Sequence, residues 1–298
     1  MIQATQEAGI RQQWLNERRK SIGSSDAATL WGVNPFQSPL QLWQDKLGLV
    51  DHGEETEAMR FGTLLQPVVA EAFQRETGRP VRRNDGDKLA VMRDLPIAAA
   101  TVDGWQHRGS VEGVLELKTT NAYARADWQE NAPAYYRIQV QHQLMVTGLP
   151  FASIACLIGG QEFIWLDVER DEAFIQQHRR RVEAFWRNHI ETETPPTPNA
   201  DDRDALLRMF PQEVAGKIIE LPALFVDLDA ELAEVAAERK RLTEREDEIK
   251  NLIRAELGDA EAGIVPGTGF MFKNKLETRK AHQVAESAAR VLRRVKAK

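Results

Sequence analysis

A chain of 298 residues with 28% charged and 42% hydrophobic side chains has the composition of an ordinary globular protein, enough for one good-sized domain and an appendage. No apolar run approaches the ~20 residues of a membrane helix. The stretch Met1 to Trp14 lacks a signal-peptide core, and the single cysteine, Cys156, excludes an internal disulfide, so a cytoplasmic location is expected. The net charge of −6 argues against a nucleic-acid partner only as a sum: residues 273–298 carry nine Lys/Arg against two Asp/Glu, and residues 201–250 carry eight against fourteen.

In chain order, residues 11–20 are polar and helix-compatible, and Ser24-Ser25-Asp26 offers capping groups to the apolar stretch Ala27–Trp31. Asn34-Pro35 and Ser38-Pro39 punctuate a loop, after which Leu40–Leu47 has helical spacing that stops at Gly48. A second amphipathic helix is predicted from Gly62 to Thr77, ended by Gly78. Strands are predicted at Ile97–Val102 and Val111–Thr119, with a turn at Asp103-Gly104 and a loop over Trp105–Ser110. Tyr135–Thr147 reads as a helix ended by Gly148. Phe151–Ile158 and Glu162–Val168 read as a hairpin turning at Gly159-Gly160, and Asp171–His189 as a helix before the prolines of 193–198. Together these form one mixed α/β unit, residues 1–212.

Residues 213–298 follow a different pattern. Leu221, Leu228, Val235, Leu242 and Ile249 recur every seven residues, with Phe225, Leu232 and Ile253 in a second row that Arg239 and Glu246 interrupt. The pattern predicts a long helix closed by Gly258, either an arm folded on its own domain or an intermolecular coiled coil. A small hairpin around Pro266-Gly267 and a basic tail complete the chain.

The chemistry concentrates in Asp103-Gly104 and Glu116-Leu117-Lys118. On a strand, Glu116 and Lys118 share one face and Leu115 and Leu117 the other. A strand apolar on one side and bearing Glu and Lys on the other is poorly explained by packing. Two carboxylates that hold a divalent metal, with an ammonium beside them, are what phosphodiester hydrolysis requires. Oxygen ligands without a Cys/His cluster favour Mg²⁺, with Mn²⁺ able to substitute. His52, His107 and His142 lack the partner spacing of a zinc site. Most of the seven tryptophans are expected in the core; Trp105, next to Asp103-Gly104, is the exception, placed to stack on a terminal base.

This arrangement resembles the PD-(D/E)xK nuclease superfamily, whose core is a restriction-endonuclease-like sheet flanked by helices. From Trp14 to Pro198 the chain resembles the phage lambda exonuclease/YqaJ-type alkaline exonuclease family. The resemblance is carried by Arg18…Ile22-Gly-Ser-Ser25-Asp26, Ser38-Pro-Leu-Gln-Leu-Trp43, Arg60-Phe-Gly62, Asp103-Gly, Glu116-Leu-Lys118-Thr and Tyr136-Arg-Ile-Gln139-Val-Gln141-His-Gln-Leu144. It implies Asp103 and Glu116 as metal ligands with the Leu117 carbonyl as a third, Lys118 as the catalytic lysine, and Gln139 facing the site. Arg18, Ser25 and Thr101 match the family's pocket for a 5′-terminal phosphate. Where the family has a glutamate metal ligand this chain has Gln66, a weaker one, and Glu71 lies too far round the helix to replace it.

By the same resemblance the activity is Mg²⁺-dependent 5′→3′ degradation of double-stranded DNA ends, leaving 3′ overhangs for recombination. A homotrimeric ring and a single-strand annealing protein as partner are implied with it, in a phage or prophage setting. Two other readings compete: a structure-selective endonuclease on the same core, and a catalytically weak DNA-end-binding or assembly protein.

Overall fold

The computed structural model describes residues 14–50, 56–84, 88–129 and 131–276. The chain divides into two compact units, Met1–Met209 and Phe210–Lys298. His52 and the tail beyond residue 276 lie outside the described residues.

The first unit begins with helical residues 14–19 and a 3₁₀ turn at Ala27–Trp31. Asp26 precedes that turn without capping it through its side chain, because its carboxylate is committed elsewhere. Helix α1, Pro39–Lys46, starts on a capping box: Ser38 Oγ accepts from Gln41 N at 3.1 Å, and Gln41 Oε1 accepts from Ser38 N at 3.1 Å. Helix α2 spans Glu57–Thr77 and starts five residues before the expected Gly62. Thr56 caps it, accepting from Met59 N at 3.2 Å, and Glu57 pairs with Arg60 in the first turn at 2.8 Å. The extra turn was hidden from burial periodicity because Met59 and Phe61 face solvent.

Strands β1 (Val81–Arg83), β4 (Gly104–Arg108), β5 (Val111–Thr120), β6 (Phe151–Ile158) and β7 (Glu162–Glu169) form one sheet in the order β1-β4-β5-β6-β7. Only β5 and β6 run parallel, joined by a crossover through helix α3, Ala134–Thr147. The β6–β7 hairpin turns at Gly159 and Gly160, both at positive φ, 59° and 71°. Strands β2 (Leu89–Val91) and β3 (Ala99–Thr101) make a separate pair.

Two expectations are corrected here. The strand predicted at Ile97–Val102 is shorter, because Ile97 and Ala98 instead meet the N-terminal segment: Ile22 N donates to Ile97 O at 2.8 Å and Ala99 N to Ile22 O at 3.0 Å. Asp103-Gly104 is no turn, and Trp105–Arg108 no loop; these residues lead into and form β4. Gly104 serves close strand approach, since a Cβ there would stand 2.9 Å from the Arg82 carbonyl oxygen. The turn comes later, at Gly109, φ 64°.

Helix α2 covers one face of the sheet, packing Val69, Ala70 and Phe73 on Leu115, Leu117 and Ala155. The larger core lies around α3, with Val140 and Leu144 against Val114, Ala152, Ile154 and Cys156. Helix α4, Glu172–Phe185, is capped by Asp171, continues as a π-helix over Trp186–Ile190, and adds Ile175 and Val182 to that core. Helix α5, Arg203–Met209, ends the unit. Of the seven tryptophans, Trp43 and Trp128 are buried, and the others are partly or largely accessible.

The second unit contains helix α6, Leu224–Leu257, of 34 residues with none buried, closed at Gly258 as expected. The expected hairpin is present as β8 (Ala262–Ile264) and β9 (Met271–Lys273). Among the described residues no helix is long and apolar enough to cross a membrane.

Candidate active site

Strand alternation builds the centre. Along β5, Leu115 and Leu117 enter the core under α2, so Glu116 and Lys118 project towards α3. Glu116 is 2% exposed, and an isolated carboxylate at that depth would be costly. It is fully engaged: Oε1 accepts from Gln139 Nε2 at 2.5 Å and Oε2 from Gln143 Nε2 at 2.6 Å. Lys118 Nζ stands 2.5 Å from Oε1, donates to Gln139 Oε1 at 3.2 Å, and lies 4.7 Å from the centre of the Tyr136 ring. Burial works to lower the Lys118 pKa, but the Glu116 and Asp103 carboxylates outweigh it and raise it, so the side chain is an ammonium.

Asp103 sits immediately before β4. Its Oδ2 accepts from Leu117 N at 2.8 Å, and its Oδ1 accepts from Gln66 Nε2, on α2, at 3.1 Å. A strand residue's N–H and C=O point the same way, so the Leu117 carbonyl also faces the Asp103 side. Four elements therefore converge: α2 through Gln66, the start of β4 through Asp103, β5 through Glu116, Leu117 and Lys118, and α3 through Gln139 and Gln143. Glu71 is exposed, as its helical position required.

Gln143 is the residue that sequence reading missed. It bridges Glu116 and the Thr101 carbonyl, the latter at 3.4 Å, while its own Oε1 has no partner. Its spacing of four from Gln139, one helical turn along the same face, was the available signal. Gln141, two residues from Gln139 and so on a different face of α3, is structural: its amide donates to Glu169 O at 2.7 Å and accepts from Asp171 N at 3.1 Å.

No group of three His, Cys, Asp or Glu able to hold a metal occurs among the described residues. The oxygen set here consists of two carboxylates, the Leu117 carbonyl and the side-chain amides. That composition fits Mg²⁺, which takes one or two carboxylates and keeps several waters, and does not fit zinc.

A second polar cluster lies in the N-terminal segment. Arg18 Nη2 donates to Ser25 Oγ at 2.7 Å and stacks on Trp14 at 4.5 Å. Behind them Asp26 accepts from Gly23 N at 2.8 Å and pairs with Lys46 at 2.7 Å, and Lys46 also donates to Arg18 O at 3.2 Å. Burial acts to raise the Asp26 pKa, but the Lys46 and Arg18 charges hold it below the usual carboxylate value. The bridge of Ile22 to Ala98 ties this segment to β3, which leads through Thr101 and Val102 to Asp103. Thr101 Oγ1 is buried without a partner.

Two aromatic expectations resolve differently. Trp105 lies on β4 rather than in a loop, with the Arg82 guanidinium 3.9 Å from its ring centre. That face is not open to a base. His142 is buried and hydrogen-bonded, not a ligand. Trp31 Nε1 donates to His178 Nδ1 at 3.0 Å, so His178 Nε2 carries the proton given to His142 Nδ1 at 2.8 Å. His142 Nε2 in turn donates to Ala99 O at 3.0 Å.

The fold is the α/β class expected, a central mixed sheet flanked by helices. It is similar to the crystal structure of an alkaline exonuclease, LHK-Exo, from Laribacter hongkongensis, with TM-score 0.51 and 22% identity over 61% of this chain and 94% of that one. A structure of LHK-Exo with dAMP gives TM-score 0.51 and 20% identity, over 66% and 97%. In sequence, residues 13–150 match the YqaJ-like viral recombinase domain. The chain is also 33% identical over 282 residues to the uncharacterized protein YqaJ of Bacillus subtilis (strain 168), covering 91% of this chain and 86% of that one. The chain belongs to the YqaJ-like viral recombinase family.

Proposed function

We propose that this protein is a Mg²⁺-dependent exonuclease that degrades the 5′-ended strand of duplex DNA and leaves a 3′ overhang for recombination. The observation that carries the reading is the convergence of Asp103, from the segment before β4, with Glu116 and Lys118 of β5 into one cluster with Gln66 and Gln139. Mg²⁺ bound there supplies polarisation of the scissile phosphate and activation of water. Asp103, Glu116 and the Leu117 carbonyl hold it, with Gln66 as a weaker ligand. Gln139 and Gln143 orient Glu116, and the Lys118 ammonium offsets charge developing on the reacting oxygens. Arg18, Ser25 and the unpartnered Thr101 hydroxyl offer a 5′-phosphate one guanidinium fork and two hydroxyl donors. A homotrimeric ring and a single-strand annealing partner belong to the same proposal, supported by family membership.

The test is digestion of end-labelled linear duplex, with 5′-phosphate or 5′-hydroxyl ends, beside a closed circle, with and without Mg²⁺. The expected result is metal-dependent release from the 5′-phosphorylated linear substrate and an intact circle. Equal cutting of circle and linear duplex replaces this reading with a structure-selective endonuclease.

A further inference from the structure

Within its own unit, helix α6 leaves an apolar seam uncovered. Leu228, Leu232, Val235, Leu242 and Ile249, at heptad spacing, are each between 44% and 58% exposed on a helix with no buried residue. From the charges that interrupt and flank this seam, we propose that α6 is a self-association surface, pairing antiparallel with α6 of a second copy about a two-fold axis between Lys240 and Arg241.

In that register Leu232 meets Ile249 of the second copy, Leu228 meets Ile253, and Leu242 meets the aliphatic stem of Arg239. Side chains on a helix lean towards its N-terminus. Arg239 therefore leans away from its symmetry mate and towards Glu246 of the second copy, which leans towards Arg239 in return. The flanking positions agree: Glu238 faces Arg245 of the second copy, and Asp229 faces Lys250. Symmetry makes each pair occur twice. A parallel pair does the opposite, setting Arg239 on Arg239, Glu246 on Glu246 and Arg245 beside Lys250. Shifting the antiparallel register by one heptad brings Glu238 onto Glu238 or Arg245 onto Arg245. A polar residue in a coiled-coil core costs stability and specifies register and orientation. Within one copy, Glu238 pairs with Arg241 at 2.6 Å, Arg245 with Glu248 at 2.9 Å and Glu246 with Lys250 at 2.5 Å. These are exposed pairs of small worth, so exchanging them across an interface costs little.

The surface is independent of the DNA chemistry, and its test uses neither DNA nor metal. Sedimentation equilibrium of the full chain should give wild type at least twice the mass of Leu242→Glu. Arg239→Glu and Glu246→Arg should each weaken association by about tenfold or more, because like charges then face each other. The double swap Arg239→Glu/Glu246→Arg should restore it. Nitroxides on Asp227→Cys should lie roughly 40 Å apart along the axis, 27 residues at 1.5 Å each; native Cys156 is buried and out of reach of the label. Equal masses for wild type and Leu242→Glu, a double swap without rescue, or labels side by side would each overturn the proposal.

Discussion

Two buried carboxylate–lysine pairs lie in the same unit, Glu116–Lys118 at 2.5 Å and Asp26–Lys46 at 2.7 Å, and their surroundings differ in kind. Asp26 and Lys46 take their hydrogen bonds beyond the pair from main chain, the Gly23 N–H and the Arg18 carbonyl, with the Asp45 carboxylate 3.8 Å from Lys46, and the Lys46 side chain is 2% exposed. Glu116 and Lys118 complete theirs with the side-chain amides of Gln139 and Gln143, and Lys118 keeps 19% of its surface open. Main-chain partners cannot be exchanged without moving the fold. Amides carry both donor and acceptor, and can re-pair when a ligand arrives. Burial of charge alone therefore does not mark a site; the exchangeability of its partners does.

The largest expected effect is on chemistry. Asp103→Ala or Glu116→Ala should abolish DNA degradation while leaving a cooperative melt. Lys118→Ala should slow single-turnover cleavage by about 10²–10³-fold, the loss of about 2.7–4 kcal/mol of transition-state stabilisation, with little change in DNA binding. Metal-dependent cleavage by a folded Asp103→Ala protein would break the assignment.

The other pair should respond in the opposite currency. Asp26→Ala leaves the buried Lys46 ammonium with only the longer contact to Asp45, at 3.8 Å, which costs folding stability, with the about 3–5 kcal/mol of a fully broken buried pair as the upper bound. Denaturant unfolding measures it, and a loss no greater than that of Glu116→Ala erases the contrast between the pairs. A smaller effect is expected at Arg18, whose charged hydrogen bonds to phosphate are each worth roughly 1.5–3 kcal/mol. Arg18→Ala should remove most of the preference for 5′-phosphorylated over 5′-hydroxyl ends. An unaltered preference, read from initial rates on matched duplexes, removes Arg18 from the pocket. The smallest is at Gln66: Gln66→Glu, which places a carboxylate beside Asp103, should lower the Mg²⁺ concentration giving half-maximal rate. Superimposable titrations show that Gln66 holds no metal.

These pairs were unequally legible in the sequence. Glu116 and Lys118 stood out because period-2 alternation put two charges opposite Leu115 and Leu117, and that logic needs no tertiary contact. Asp26 looked like a helix cap because Ser-Ser-Asp before an apolar run is what a cap looks like; its real partner is twenty residues on, and no local rule reports such a distance. Strand β4 was missed for a related reason. Asp-Gly signals a turn locally, but Gly104 is there to admit the Arg82 backbone from β1. The hairpin glycines Gly159 and Gly160, and Gly78, Gly148 and Gly258 at helix ends, were read correctly because each acts within a few residues of itself.

The hydrogen-bonded run from Trp31 through His178 and His142 to Ala99 sets an acid limit for the molecule. Every ring nitrogen in it is spoken for, and an added proton has no lone pair to occupy without breaking a link. Burial drives His142 down to about 4, against which the Ala99 carbonyl pulls back, and it drives His178 down to about 2 with help from the neighbouring His142 and Arg181 charges. In the unfolded chain both titrate near 6.5. Their contribution is thus complete above about pH 6.5 and drains away as the pH falls, down to about 4 for His142 and about 2 for His178, because the unfolded state then takes up protons that the native state refuses. What acid would loosen first is the attachment of α3 to β3, and with it the footing of Gln139, Gln143 and the strand that delivers Asp103.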